Sequence, residues 1–205
     1  MFMRGTENGL RLAVHAIGDK ANATVLDILS TLPKRPLPDS TIEHAQLLRW
    51  SDVPRFNELG LAASVQPQHL CDDRELTERF WPHDAERTYV FRSLDEAKCE
   101  LRLGSDAPIA PLDPWLAMAA AVTRSRAGEI KHGYPGWHPE QRISMRKAYA
   151  ASTSGKRVKV SVGDVADVCI IDRDPLALQG HDQDDVRYTQ VYLTLLEGRA
   201  THNTL

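Results

Sequence analysis

Two histidines and an aspartate stand where apolar, strand-like runs give way to turns. His15 closes Leu10–His15, His44 lies in Ser40–Ala45, and Asp106 follows Leu101–Gly104. Neutral imidazole nitrogen and carboxylate oxygen both suit zinc, and three protein ligands leave a position for water. A metal so held lowers the pKa of that water and polarises a carbonyl. An aspartate beside it can take a proton and pass it to a leaving amine. His15 and His44 are 44 − 15 = 29 residues apart, about one strand–helix unit, so the set is not a compact motif on one helix. Singly, each reads as readily as a hydrogen-bonded structural residue; recurrence at three matching strand ends puts the ligand reading on equal footing.

The elements that must position them alternate. Leu10–His15 reads as a strand and Lys20–Leu32 as a helix. Ser40–Ala45 is a second strand, and Asp52–Leu59 a short helix with Ser51 as its N-cap. Leu61–Val65 is a third strand. The polar, acidic stretch Cys71–Arg87 reads as a long loop with some helix, Tyr89–Glu100 as helix and Leu101–Gly104 as a fourth strand. Asp113–Arg124 is a helix with Pro114 in its first turn. Strands alternating with helices predict an α/β fold with a parallel sheet, in which working residues sit at the carboxyl ends of strands. The last third differs. Ser125–Gln141 reads as a loop over one end of the sheet, Ser144–Ala151 as a helix, and Val158–Ile171 and Gln190–Leu196 as a turn and strands of a small appended sheet.

Composition bounds the function. The chain has 205 residues, 42% hydrophobic and 26% charged, with a formal net charge of -3. No basic field attracts nucleic acid or an anionic membrane, and no DNA-binding motif is present. No apolar run is long enough to span a bilayer, and no signal peptide is read. Three widely spaced cysteines, Cys71, Cys99 and Cys169, read as small buried residues in a reducing cytoplasm. Other polar residues carry two readings each. Gln68 and His69 line a substrate pocket or lie in a solvated loop. Asp19 orients His15 or caps a helix. Arg124 meets an acidic substrate group or forms a surface ion pair. His132 and His138 read as loop residues, and Asp182, Asp184 and Asp185 as a solvated turn.

The motifs HAIGDKA, IEHAQLL, ASVQPQH, LGSDAPIAPLDPW, AVTR and GDVADVCIIDRDP occur in an order that resembles the C-terminal half of amidohydrolase family 3, over residues 9–175. This group of cytoplasmic metal-dependent hydrolases includes N-substituted formamide deformylase. The resemblance implies a (β/α)8 barrel with a small β-sandwich. Residues 1–155 would supply barrel strands 5–8, and residues 156–205 part of the sandwich. His15 and His44 match the metal-ligand histidines after strands 5 and 6. Asp106 matches the aspartate after strand 8 that shuttles protons, and Leu61–Gln68 matches strand 7.

The implied activity is hydrolysis of a C–N bond in a small amide, N-acyl or N-formyl substrate, with a divalent metal, zinc, as cofactor and Gln68, His69 and Arg124 toward the substrate. The family's His-x-His pair after strand 1 and its ligand after strand 4 have no counterpart here. The expectation is therefore a half-barrel of little or no activity alone. The rest would come from a longer chain, a second polypeptide or a homodimer. The rival expectation is a non-catalytic remnant, or a binding or regulatory module that uses the half-barrel to hold a partner.

Overall fold

In the computed structural model, which describes residues 2–153 and 158–205, the strands β1 (Ala13–Ala16), β2 (Thr41–His44), β3 (Ala62–Val65) and β4 (Glu100–Leu103) lie side by side in chain order, all parallel. A short helix, α1 (Phe2–Glu7), precedes them. Register aligns Val14, Ile42, Ala63 and Leu101 in one row and His15, Glu43, Ser64 and Arg102 in the next. Because the pleat alternates faces, the first row joins the apolar core and the second faces away from it.

Helices α2 (Asp19–Ser30), α3 (Val53–Leu59), α4 (Pro67–Phe80) and α5 (Phe91–Glu96) connect the strands and bury Leu26, Leu29, Phe56, Leu70 and Leu94 against the first row. Asn22 ties α2 to the strand ends. It is fully buried, and its amide nitrogen donates within 3.0–3.2 Å of the carbonyls of Ala16, Ile17, Gly18 and Leu47. After β4, α6 (Pro114–Thr123) starts under an Asp113 cap that accepts from the Trp115 amide, and it ends at Arg124 in the left-handed region. Helix α7 (Met145–Ala151) begins at Ser144, whose hydroxyl accepts from the Lys147 amide. The strands β5 (Val168–Ile171), β6 (Val191–Leu196) and β7 (Arg199–Asn203) form a separate antiparallel sheet.

The structure corrects several expectations. Cys71–Arg87 is not mainly loop. Pro67 in the first turn starts a 14-residue helix whose Leu70, Cys71 and Thr77 are buried. Only Phe91–Glu96 of Tyr89–Glu100 is helical, because Lys98 turns at φ 62 and Glu100 already belongs to β4. Ser51 does not cap α3; it lies within a 3-10 turn, Trp50–Asp52, that leads into the helix. Cys71 and Cys99 are buried, but Cys169 is exposed on β5. Asp184 is not solvated: the 3-10 segment Gly180–Tyr188 packs on α6 and buries it. The expected division at 155/156 falls outside the described residues.

Among the described glycines, Gly136 has the tightest surroundings. A Cβ there would lie 2.4 Å from the Thr123 carbonyl oxygen, and φ is +86. Gly136→Ala is expected to destabilise the chain by about 2 kcal/mol or more in urea denaturation; a neutral result would refute this packing.

Candidate metal centre

Each parallel strand delivers one polar residue at its carboxyl end. His15 is the next-to-last residue of β1, and His44 ends β2. Beyond β3, Gln66 leads into α4 and places His69 in its first turn. Beyond β4, Gly104 and Ser105 lead to Asp106. His44, His69 and Asp106 each offer a ligand atom, all within 4.8 Å of one another. His15 packs edge-on against His44, with ring centroids 4.6 Å apart at 74°. The His44 and His69 rings stack at 6.1 Å and 25°.

His69 is buried, His44 half-buried and Asp106 exposed. His44 Nδ1 and His69 Nε2 are enclosed, yet neither has a hydrogen-bond partner among the described residues. Orphaned buried nitrogens cost free energy unless something outside the chain satisfies them. Burial chiefly, then the His15 charge, holds His44 below the usual imidazole pKa, with Asp106 opposing. The neutral ring is the form that ligates. The His44 and His69 imidazoles and the Asp106 carboxylate are a donor set suited to zinc or a similar divalent ion, with the His15 ring beside them.

Backbone strain gathers here. His44 (φ 70), Ala45 (φ 45) and Asp106 (φ 54) all occupy the left-handed region, which side chains with a Cβ avoid. Such residues persist only where their surroundings hold them. Ala45 donates to the Ala16 carbonyl (3.1 Å), and Leu47 to that of Ile17 (2.9 Å). The Tyr89 amide donates to the Gln46 carbonyl (2.8 Å). Asp73, one turn beyond His69, accepts from the Tyr89 hydroxyl (2.7 Å) and from Gln46 Nε2 (3.3 Å). Burial pushes the Tyr89 phenol up, with Asp73 adding to it, so it stays a donor. Tyr89, Asp73 and Gln46 thus brace the loop that carries His44 against the helix that carries His69. Sequence reasoning passed over all three; the i, i+4 spacing of His69 and Asp73 was the available signal.

Gln68 sits beside His69, its Oε1 buried and unpartnered. Asp19 lies in the first turn of α2, where it accepts from the Lys20 amide (2.7 Å) and stands 3.6 Å from Arg49 and 3.7 Å from Arg87; none of these partners is His15. Among the described residues Arg124 forms no ion pair. It is 0% exposed and donates to the carbonyls of Trp137 (2.6 Å) and Tyr89 (2.8 Å), with burial lowering its pKa to about 10. It therefore clamps loops behind the cluster rather than joining it.

Known proteins share this arrangement of chain. Protein LONG AFTER FAR-RED 3 of Arabidopsis thaliana is 36% identical over 74% of this chain and 26% of its own length. N-substituted formamide deformylase of Arthrobacter pascens is 24% identical over 97% of this chain and 38% of its own. This chain thus spans well under half of either relative. The crystal structure of an uncharacterized metal-dependent hydrolase from Pyrococcus furiosus superposes with a TM-score of 0.63 at 32% identity, covering 76% of this chain and 30% of that one. The sequence profile of the amidohydrolase family extends over residues 1–202, taking in both sheets and all four strand ends: the chain belongs to the amidohydrolase family.

Proposed function

We propose that the chain contributes to a metal-dependent hydrolase that cleaves the C–N bond of a small amide, N-acyl or N-formyl compound. In this reading β1–β4 are strands 5–8 of a (β/α)8 barrel. The observation that carries it is the pair of buried, unpartnered nitrogens, His44 Nδ1 and His69 Nε2, beside the Asp106 carboxylate. The polar row His15–Glu43–Ser64–Arg102 supports the barrel, since parallel sheets are covered on both faces and helices here cover the other row. Further strands would come from the same polypeptide, a separate chain or a second copy, and without them turnover would be slight. The three free cysteines support a reducing cytoplasm as the working compartment. Among the described residues no helix is long and apolar enough to cross a membrane.

His15, His44, His69 and Asp106 would hold the ion, zinc best matching their nitrogen and oxygen donors. A divalent cation bound there supplies Lewis acidity toward a carbonyl and water. Asp106 takes a proton onto its carboxylate from the attacking water and returns it to the departing nitrogen, releasing acid and amine. Gln68 Oε1, an acceptor without a partner, would receive a substrate N–H.

Cobalt(II), which reports its ligands by visible absorption, tests the reading when titrated into the purified chain. About one ion per chain is expected, with a Kd of roughly micromolar or tighter. No binding below about 1 mM would overturn the metal reading. In the complete enzyme Asp106→Asn is expected to abolish hydrolysis of N-formyl and N-acyl amines; retained turnover would remove Asp106 from proton transfer.

A further inference from the structure

The face of α4 that begins at His69 continues along the helix as Asp73, Leu76, Thr77 and Phe80, at spacings of three and four residues. Opposite stand Ile17 and Gln46, each two residues beyond a candidate ligand, His15 and His44. Between these walls and Trp81 lies a cavity of about 240 Å³. Leu76 is 53% exposed and Phe80 63%, so apolar surface stands open to solvent beside a half-buried carboxylate. Asp73 Oδ2 accepts from Tyr89 and Gln46, both neutral donors. No cationic side chain pairs with Asp73 among the described residues. The Phe80 ring already takes a cation, with the Arg79 guanidinium 5.1 Å from its centroid.

An apolar trough with an unmatched carboxylate suits a ligand that combines a hydrophobic body with a positive charge. Asp73 lies one helical turn past His69, about 6 Å along the axis. We propose that this cavity receives the non-reacting end of the substrate, an aryl or short alkyl group bearing a primary ammonium that pairs with Asp73. This assignment rests on the hydrolase reading above. It narrows the substrate to amides whose scissile carbonyl lies about four or five bonds from an ammonium, a separation that matches one turn of α4.

The probe is 2-phenylethylammonium, compared with the neutral 3-phenylpropanol and the anionic phenylacetate, each titrated into the metal-free chain and followed by amide NMR shifts. The cation is expected to bind at least about tenfold more tightly than either analogue, with shifts centred on Ile17, Gln46 and α4. Leu76→Ser with Phe80→Ala, both at exposed positions, should weaken it about tenfold. Asp73→Asn should erase the preference for the cation. Tyr89→Phe, which removes a hydrogen bond to Asp73 but keeps its charge, should preserve it. Equal binding of all three probes, shifts elsewhere, or an unaffected double variant would overturn the proposal.

Cobalt(II) separates this inference from the reading beneath it. If cobalt binds and the cavity holds no probe, the substrate assignment falls and the hydrolase reading stands. If the cavity holds the probe but the chain binds no cobalt, the hydrolase reading falls and takes the assignment with it. Probe protons broadened by bound cobalt support both.

Discussion

His44→Ala is expected to weaken cobalt(II) binding by about a hundredfold or more, because His44 belongs to the cluster and also carries the ring contact with His15. It shares the 4.8 Å cluster with His69 and Asp106 and packs its ring on His15. Replacing His15 should cost less, since it lies beside the cluster, packed on the His44 ring, rather than within it. The backbone makes the test sharper. At φ 70, alanine is as strained as histidine, whereas glycine is not. His44→Gly should therefore lose the metal as His44→Ala does, yet be more stable than His44→Ala by about 1 kcal/mol in urea denaturation. A residue that serves only packing would lose no more metal affinity than its loss of stability explains. Metal affinity that survives in both variants would show that His44 is not a ligand.

The strand ends were legible because their chemistry is local. Short strand-like stretches that stop at His15, at His44 and just before Asp106 mark both a strand and the place where it ends. The parallel sheet follows from alternation, and the structure has it in chain order. His69 was less legible. It follows Gln66-Pro67, which reads as a loop, and only tertiary packing of Leu70, Cys71 and Thr77 turns that polar stretch into the start of α4. Once the helix forms, His69 points into the cluster and Asp73 follows one turn later. Arg124 failed for a related reason. A charged residue at a helix end reads as exposed, but its guanidinium finds the carbonyls of Tyr89 and Trp137 in the interior, from loops 35 and 13 residues away. Sequence spacing reports neither contact, since both depend on how distant loops meet.

Asp184→Ala is expected to cost about 3–5 kcal/mol, a large part of the stability of a domain this size. The acidic run 182–185 looks solvated in sequence, yet the Asp184 side chain is 0% exposed and that of Arg187 3%. Asp184 Oδ1 accepts from Arg187 Nε at 2.6 Å, and Oδ2 accepts from the Gly128 amide at 2.8 Å. Arg187 also donates to the Ser125 carbonyl, which receives the Cys71 thiol at 3.3 Å. Burial pushes that thiol up to about 11, so it stays a neutral donor. Removing the carboxylate leaves a guanidinium enclosed without a countercharge, and an amide without an acceptor. Asp184→Ala with Arg187→Met removes both charges and should recover most of the loss in denaturant unfolding. A double variant as unstable as Asp184→Ala would mean that the lost packing, rather than the stranded charge, sets the cost. Because Ser125 lies just past α6 and Cys71 lies on α4 two residues from His69, the same pair fastens the C-terminal segment to the helix that carries a candidate ligand. Asp184→Ala should accordingly weaken cobalt(II) binding as well as folding, whereas the double variant should restore both together.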